Sequence, residues 1–390
     1  MRAALISITG TPFSLAGKSI ARRQLDFALA AGCERVIALG NGGLPEAVAL
    51  RHAAEARGAR FQCVGDAHGL LGAVPAGDEL LVLAPGLLAE EASVLEALER
   101  GSAVLVLPAG PGVAAGFERI DLERAWAGAL VLPGRLVERL ADLPPDTEAT
   151  AALLRIALQA RVAEKRLAEK ALDAGSWSIS NGEGEGDHAP QQRAWLKRNL
   201  PAPAGYGVSR LLANLGLREL AIPLLALPRA LPGLWGGAML VLAGAVGAAA
   251  YSWGALAFVL AALGALLAEF AAGLAHLRDA PFGRTDKRGV ATFAPALVDV
   301  ALAASAALTI DGSWLHRVFP PLVLLGVLHA GRPGNWPGVA ALLGDRTQLA
   351  LVLAGAAALD VAEPAVMLLA LLIAVLDAAV FRANSRLTPA

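Results

Sequence analysis

Residues 233–277 read GLWGGAMLVLAGAVGAAAYSWGALAFVLAALGALLAEFAAGLAHL. This stretch contains a single carboxylate, Glu269, and no lysine or arginine before Arg278. Because one helical crossing of a hydrocarbon core takes about twenty residues, the stretch is long enough for two crossings. Tyr251, Ser252 and Trp253 lie near its midpoint, where an interfacial turn is expected. The stretch therefore predicts two membrane-spanning helices.

The composition of the chain is uneven. Its 390 residues are 56% apolar, with a mean hydropathy of +0.56, which is high for a soluble protein. Most of the charge lies in the first two hundred residues or so. The formal net charge is −1, so no overall field attracts nucleic acid, and we expect no nucleic-acid partner.

The amino terminus and the cysteines indicate a cytoplasmic location for the first half. The opening residues, MRAALISITGTP, contain no long apolar run and no small-residue cleavage site, so no signal peptide is predicted. Cys33 and Cys63 are too few for a disulfide framework and are interpreted as reduced core thiols.

Short apolar runs alternate with helical patterns along the first half of the chain. Strands are predicted over residues 3–8, 35–39, 60–64, 79–83 and 103–107, and helices over 19–31, 45–57 and 90–100. This order implies a mostly parallel sheet with helices on both faces, an α/β domain. Ligands of such sheets bind at the carboxyl ends of the strands, here residues 9–18, 40–43 and 84–88.

The loop after the first strand carries a resemblance to a known family. Residues 8–39, ITGTPFSLAGKSIARRQLDFALAAGCERVIAL, are similar to the opening of sugar-phosphate nucleotidyltransferases, with a turn matched by residues 15–20 and a later segment matched by residues 31–36. The resemblance implies Lys18, Arg22 and Arg23 as candidates for nucleotide or phosphate binding. The alternative for Lys18 is an ordinary solvated lysine.

The motifs that the resemblance leads one to expect are incomplete. Active members hold the triphosphate with a Gly-rich loop, where this chain has only Gly10-Thr11-Pro12. They also hold magnesium with an aspartate after the strand matched by residues 79–83. Ala84-Pro85-Gly86 stand at that place and offer no side-chain oxygen to a hard cation.

A connector is predicted between the two halves of the chain. Residues 150–174 read as one long helix with an (i, i+4) pair of Lys165 and Glu169, and residues 176–192 read as a flexible acidic linker. A basic amphipathic stretch over residues 193–218 is typical of a helix on an anionic membrane surface. The predicted domains are a nucleotidyltransferase-like domain at 1–149, this connector at 150–232 and a transmembrane domain at 233–390.

Apolar runs in the last part of the chain predict an all-α domain of six membrane-spanning helices. They cover residues 234–251, 253–277, 290–310, 319–328, 349–360 and 364–381. Basic residues cluster in the second loop, at Arg278, Arg284, Lys287 and Arg288. The positive-inside rule then predicts a multi-pass protein of the inner membrane with both termini in the cytoplasm.

The order of these parts resembles one known fusion family. Residues 195–220, WLKRNLPAPAGYGVSRLLANLGLREL, are similar to the junction of the bifunctional inositol-phosphate cytidylyltransferase and CDP-alcohol phosphatidyltransferase. Active phosphatidyltransferases carry D-x-x-D-G-x-x-A-R and then G-x-x-x-D-x-x-x-D, whose carboxylates hold two divalent ions against a pyrophosphate. In this sequence EFAAGLAHL, residues 269–277, stands at the place of the phosphatidyltransferase motif. Together with the incomplete phosphate loop of the first half, this means that the catalytic motifs of both halves of the fusion are degenerate.

Candidate functional residues remain in the second half. The candidate catalytic residues are Glu269, His276, Asp286 and Asp299, because ionisable groups at membrane depth are functional hypotheses by default. The basic cluster Arg278, Arg284, Lys287 and Arg288 is a candidate site for a lipid phosphate or a nucleotide diphosphate; the alternative is that it only fixes the topology. No metal ligand is assigned, and Mg²⁺ or Mn²⁺ is expected only for an active enzyme.

Two functions stay open from the sequence. One is a non-catalytic relative that acts as a structural or regulatory partner in phospholipid or inositol-phosphodiester synthesis. The other is an active membrane transferase that moves an alcohol phosphate from a CDP-alcohol to an acceptor hydroxyl. Membrane lipids, a CDP-alcohol or nucleotide ligand, and either a homodimer or an active paralogue are the expected partners. Transport is the weaker third reading, because few polar residues are available to line a path.

Overall fold

The computed structural model describes residues 1–8, 14–99, 101–144, 146–180, 189–200, 207–280, 282, 290–330 and 344–385. The chain divides into two compact units. The sheet unit is Met1–Arg198 together with Ala280–Gly283, and the helical unit is Asn199–Asp279 together with Arg284–Ala390. The three-part division predicted from the sequence stays a prediction. Arg284, Asp286, Lys287 and Arg288 lie outside the described residues.

The sheet unit alternates strands and helices along the chain. Its elements are β1 (Arg2–Ser7), β2 (Ser14–Leu15), β3 (Lys18–Ser19), α1 (Ile20–Ala30), β4 (Arg35–Leu39), α2 (Pro45–Glu55), β5 (Arg60–Val64), β6 (Glu79–Leu83), β7 (Leu87–Ala89), α3 (Ala92–Glu99), β8 (Ala103–Pro108), α4 (Ala109–Ala114), β9 (Arg124–Pro133), α5 (Ala149–Gln159), β10 (Glu164–Arg166), α6 (Lys170–Asp173), β11 (Trp177–Ile179) and α7 (Ala189–Asn199).

Seven of these strands form the main sheet, in the order β10-β8-β9-β6-β1-β4-β5. β1 pairs in parallel with β4 and with β6, and β4 pairs in parallel with β5. Ala3, Ala4, Leu5 and Ile6 of β1 are at most 1% exposed, as expected for a central strand that is covered on both faces. The mostly parallel sheet predicted from the sequence is confirmed.

β9 is the exception to the parallel pairing. It runs antiparallel to both of its neighbours, β6 and β8. Gly128 near its middle has a φ of 81°, which favours glycine, and a Cβ there would lie 3.1 Å from the Leu87 side chain. This strand was not predicted from the sequence.

The single helix predicted over residues 150–174 was wrong. α5 ends at Gln159, and Arg161 adopts a left-handed φ of 54°, which breaks the helical path. The chain then forms β10, an edge strand of the main sheet, where the Nζ atom of Lys165 donates to the carbonyl oxygen of Ala97 at 2.6 Å. Tertiary pairing with β8 therefore overrides the high helical propensity of this segment.

The described part of the helical unit consists of helices. They are α8 (Val208–Ala226), α9 (Ala230–Ala250), α10 (Gly254–Asp279), α11 (Val290–Thr309), α12 (Trp314–Ala330), α13 (Arg346–Ala358) and α14 (Ala362–Ser385). Alanines and glycines allow close packing: a Cβ on Gly264 of α10 would lie 2.6 Å from the Leu242 side chain of α9.

Three helices among the described residues are long and apolar enough to cross a membrane. They are Ala230–Ala250, Gly254–Asp279 and Ala362–Ala379. The first two correspond to the stretch that predicted two crossings, and they support a membrane domain. The count of six crossings stays a prediction.

Candidate functional site

Lys18 and Arg22, two of the candidate phosphate-binding residues, lie beside one buried carboxylate, that of Asp26 in α1. The Nζ atom of Lys18 is 2.9 Å from Asp26 Oδ2, and Arg57 contributes a third cation at 3.0 Å from Oδ1. Arg22, one helical turn before Asp26, lies 3.5 Å from the same carboxylate. Burial lowers the pKa of Lys18, although the charge of Asp26 opposes this shift. The Asp26 carboxylate is therefore shared by three cations and balances one of their three positive charges.

Arg23, the third candidate, is directed into the interior of the sheet unit. Its guanidinium contacts the carboxylate of Glu90 and the carbonyl oxygen of Leu15, and the side chains of Arg23 and Glu90 are 3% and 1% exposed. Trp195 of α7 covers this ion pair, with the Arg23 Cζ atom 4.9 Å from the ring centroid. The indole Nε1–H of Trp195 donates to Glu90 Oε1 at 3.0 Å.

Arg198 adds a second guanidinium to the same carboxylate. Its Nη2 atom donates to Glu90 Oε2 at 2.5 Å. We call Arg23, Glu90, Trp195 and Arg198 the Glu90 cluster. Because each charged partner in the cluster is paired inside the fold, Arg23 is not presented to a phosphate in the surrounding water.

Asp299, a candidate catalytic residue on α11, is 2% exposed and is paired within the helical unit. Arg346, the first residue of α13, donates from Nε to Asp299 Oδ1 at 3.0 Å and from Nη2 to Oδ2 at 3.2 Å. The bidentate geometry is the favoured arrangement of a guanidinium on a carboxylate. His329 of α12 approaches the same carboxylate, with Nε2 3.5 Å from Oδ2.

Asp345, next to Arg346, joins the starts of two helices. Its Oδ1 accepts from the backbone N–H groups of Thr347 and Gln348 at 2.9 and 3.2 Å, which caps α13. Its Oδ2 accepts from the backbone N–H and the hydroxyl of Ser209 in α8, both at 2.8 Å. The sequence analysis missed both Asp345 and Arg346; an aspartate directly before an apolar helical run was the available signal.

Glu269, His276 and Arg278 occupy a different environment. All three side chains lie on α10 and are exposed on the helical unit. Glu269 and His276 are seven residues apart, which places them about two helical turns apart along the helix. Neither of them contacts Asp299 through a hydrogen bond or ion pair among the described residues, so this part of the structure does not assemble them into one site.

A cavity opens at the carboxyl end of β6. It has a volume of about 260 Å³, and its lining includes Ala84, Phe117, Trp126, Glu118 and Glu148. The Glu148 carboxylate also caps α5 by accepting from the Thr150 backbone N–H at 3.2 Å. The acidic side chains at its rim favour a neutral or cationic group over a phosphate.

Neither cysteine has the features of a reactive thiol. Burial raises the pKa of Cys33 to about 12 and also raises the pKa of Cys63. A thiol that keeps its proton at neutral pH is a poor nucleophile. Within the described ranges, no three His, Cys, Asp or Glu side chains gather closely enough to hold a metal ion.

Comparison with known proteins gives a structural similarity only. No protein-family profile matches the chain, and no curated protein sequence matches it. Among solved structures, the N-terminal half is similar to a Bacillus anthracis protein assigned as a glucose-1-phosphate thymidylyltransferase, crystallised with sucrose. The alignment covers 51% of this chain and 96% of that chain, with 12% identity and a TM-score of 0.37. At this identity and score, the similarity carries no conclusion about activity.

Proposed function

We propose that this chain is a membrane-anchored, non-catalytic relative of the CDP-alcohol phosphatidyltransferase-like class. In this proposal it acts as a structural or regulatory partner in phospholipid or inositol-phosphodiester synthesis. It crosses the inner membrane six times, keeps both termini in the cytoplasm, and associates either with a second copy or with an active paralogue.

One observation carries the proposal: candidate charges in both units lie against opposite charges that belong to the fold itself. Lys18 and Arg22 lie beside Asp26, and Arg23 is buried with Glu90. In the helical unit, the Asp299 carboxylate accepts two hydrogen bonds from Arg346. A carboxylate that already holds a bidentate guanidinium has little remaining capacity to bind a divalent ion.

The alternative is an active membrane transferase, and in this alternative the cavity at the carboxyl end of β6 would receive the alcohol part of the substrate and not its phosphates. Open sheets of this kind bind ligands at that edge. Phe117, Trp126 and Glu118 are among the residues that line this cavity, and a carboxylate such as that of Glu118 can accept from a hydroxyl group. Such a lining suits the alcohol part of a substrate. An active enzyme would also bind Mg²⁺ or Mn²⁺ to hold the pyrophosphate of the CDP-alcohol.

The two functions separate in an assay of the purified full-length protein in lipid nanodiscs. CMP release from a CDP-alcohol is measured with and without Mg²⁺ or Mn²⁺, and a phosphatidyltransferase with all four aspartates serves as the positive control. The proposal expects no metal-dependent CMP release. Release that depends on the metal and saturates with the CDP-alcohol would overturn it in favour of the transferase.

A further inference from the structure

The helix α12 is held near both of its ends by a histidine that faces a carboxylate. Near the start, His316 Nε2 lies 2.7 Å from Oε1 of Glu363 in α14. Near the end, His329 Nε2 lies 3.5 Å from Oδ2 of Asp299 in α11. At a rise of 1.5 Å per residue the two histidines are about 20 Å apart along the helix, so each pair acts separately.

Both ring nitrogens of His329 face acceptors. Its Nδ1 lies 3.0 Å from the carbonyl oxygen of Leu325, which can only accept, so Nδ1 carries a proton. A neutral ring would then present the lone pair of Nε2 to the Asp299 carboxylate. The doubly protonated ring is therefore the form that suits both neighbours, and loss of one proton turns the Asp299 contact from attractive to repulsive.

The first turn of α12 depends on side-chain contacts because its backbone bonding is interrupted. Pro320 and Pro321 lack the N–H groups that would bond to the carbonyls of His316 and Arg317. The His316 ring lies close to the preceding turn: Gly312 has a φ of 124°, and a Cβ added there would lie 2.9 Å from the ring Cδ2 atom. The His316–Glu363 pair thus connects to α14 a turn that lacks two backbone hydrogen bonds.

Few other charged groups face these histidines from the described parts of the neighbouring helices. On α12 itself, Arg317 pairs with Asp311 of the preceding turn at 3.8 Å. On α11 the charged residue is Asp299, which Arg346 of α13 shares with His329. The charged residues in the sequence of α14 are Glu363, Asp377 and Arg382.

We propose that α12 is a proton-sensitive element whose docking against α11 and α14 tightens when His316 and His329 are charged and loosens when they are neutral. Histidine is the side chain whose charge ordinarily changes between pH 5 and 8. When the charge is lost, His316–Glu363 falls from a charge-assisted to an ordinary hydrogen bond, and His329–Asp299 becomes repulsive. This inference does not depend on whether the chain is catalytic.

Hydrogen–deuterium exchange of the full-length protein in nanodiscs tests this inference. Protection of the α12 amides is compared at pH 5.5 and pH 8, after correction for the intrinsic pH dependence of chemical exchange. We expect roughly fivefold higher protection at pH 5.5, which corresponds to two modest ion pairs. The double variant His316→Gln/His329→Gln should lose this difference, because glutamine keeps a donor but does not titrate.

Matched variants keep the test decisive. His52→Gln changes an exposed histidine of the sheet unit and should leave the α12 response intact. Glu363→Gln removes one partner without touching either histidine and should reduce the response. The two single histidine variants give the same information if the double variant does not fold. Equal protection at the two pH values, or an unchanged response in the histidine variants, would overturn the proposal.

Discussion

Glu90 in the sheet unit and Asp299 in the helical unit are both buried carboxylates that bind guanidinium groups, but their surroundings differ. Glu90 is 1% exposed at its side chain and has two arginines and an indole N–H around it. Asp299 has one bidentate arginine, whose side chain is 26% exposed, and an exposed histidine. Each carboxylate has one partly exposed arginine partner, Arg198 at 23% and Arg346 at 26%, but Glu90 also has Arg23, whose side chain is only 3% exposed.

The difference between the two carboxylates follows from the interactions that stabilise each unit. The sheet unit has a continuous apolar core that extends across β1, β4, β6, β8 and β9. Because this core already stabilises the fold, the main effect of the Glu90 cluster is to fix the position of α7. Helices in a lipid environment gain little from apolar contact alone, so polar contacts between them have more effect on their arrangement. We infer that Glu90 serves mainly the anchoring of α7 and that Asp299 serves the arrangement of α11, α12 and α13.

The largest effect is expected from Glu90→Gln. This change removes the counter-charge of Arg23, whose side chain is 3% exposed, and of the partly exposed Arg198. An uncompensated buried charge of this kind costs about 3–5 kcal/mol of unfolding free energy. Thermal unfolding of the full-length protein, followed by tryptophan fluorescence, measures it. Glu96→Gln on the exposed face of α3 is the matched control and should behave as the unchanged protein does. A Glu90→Gln protein as stable as the control would show that the cluster does not anchor α7.

Asp299→Asn should have a smaller effect, about 2–3 kcal/mol, because Arg346 is partly exposed and can reach water. The double variant Asp299→Asn/Arg346→Gln should be more stable than the single variant, since it leaves no unpaired charge. Asp311→Asn is the control, because Asp311 is fully exposed. A single variant that matches this control in thermal unfolding would remove the structural role of Asp299.

Asp345→Ala should cost about 1–2 kcal/mol through loss of the α13 cap and of the bonds from Ser209. Asp345→Asn should retain most of the stability, because asparagine is also a good cap. Faster amide exchange in the first turns of both α8 and α13 is the expected signature of the alanine variant. If only α13 responds, the bonds to Ser209 do not contribute.

The smallest effect concerns Lys18. Because burial lowers its pKa, the unfolded chain holds this proton more tightly than the folded chain at alkaline pH. The unfolding free energy therefore rises with pH as the pH approaches the ordinary pKa of lysine. Lys18→Met should abolish this rise and change stability at neutral pH by less than about 1 kcal/mol. An unchanged alkaline profile in the variant would contradict the burial of the charged group.

Much of the sheet unit was predictable from local pattern. The strands at Arg35–Leu39, Arg60–Val64 and Glu79–Leu83 agree with the predicted bounds, because buried parallel strands read as short apolar runs between turn residues. β9 was missed because its antiparallel place between β6 and β8 is fixed by distant partners. β10 was misread because its Glu-Lys-Arg composition favours a helix locally.

The candidate sites were less predictable than the fold. Lys18, Arg22 and Arg23 were predicted to bind a nucleotide or phosphate, but the sequence gives no sign that Asp26 and Glu90 lie beside them. Arg346 is 47 residues from Asp299, so only the helix packing brings the pair together. Pairing across such distances depends on tertiary structure and leaves no local periodicity.

Equilibrium binding is the most direct test of the claim that the fold supplies counter-charges for its own candidate groups. Isothermal titration calorimetry of the full-length protein in nanodiscs, with CTP and with a CDP-alcohol in the presence of Mg²⁺ or Mn²⁺, measures whether those groups accept a diphosphate. The account predicts no saturable, metal-dependent heat. Saturable binding that requires the metal and weakens on Arg23→Gln or Asp299→Asn would contradict it.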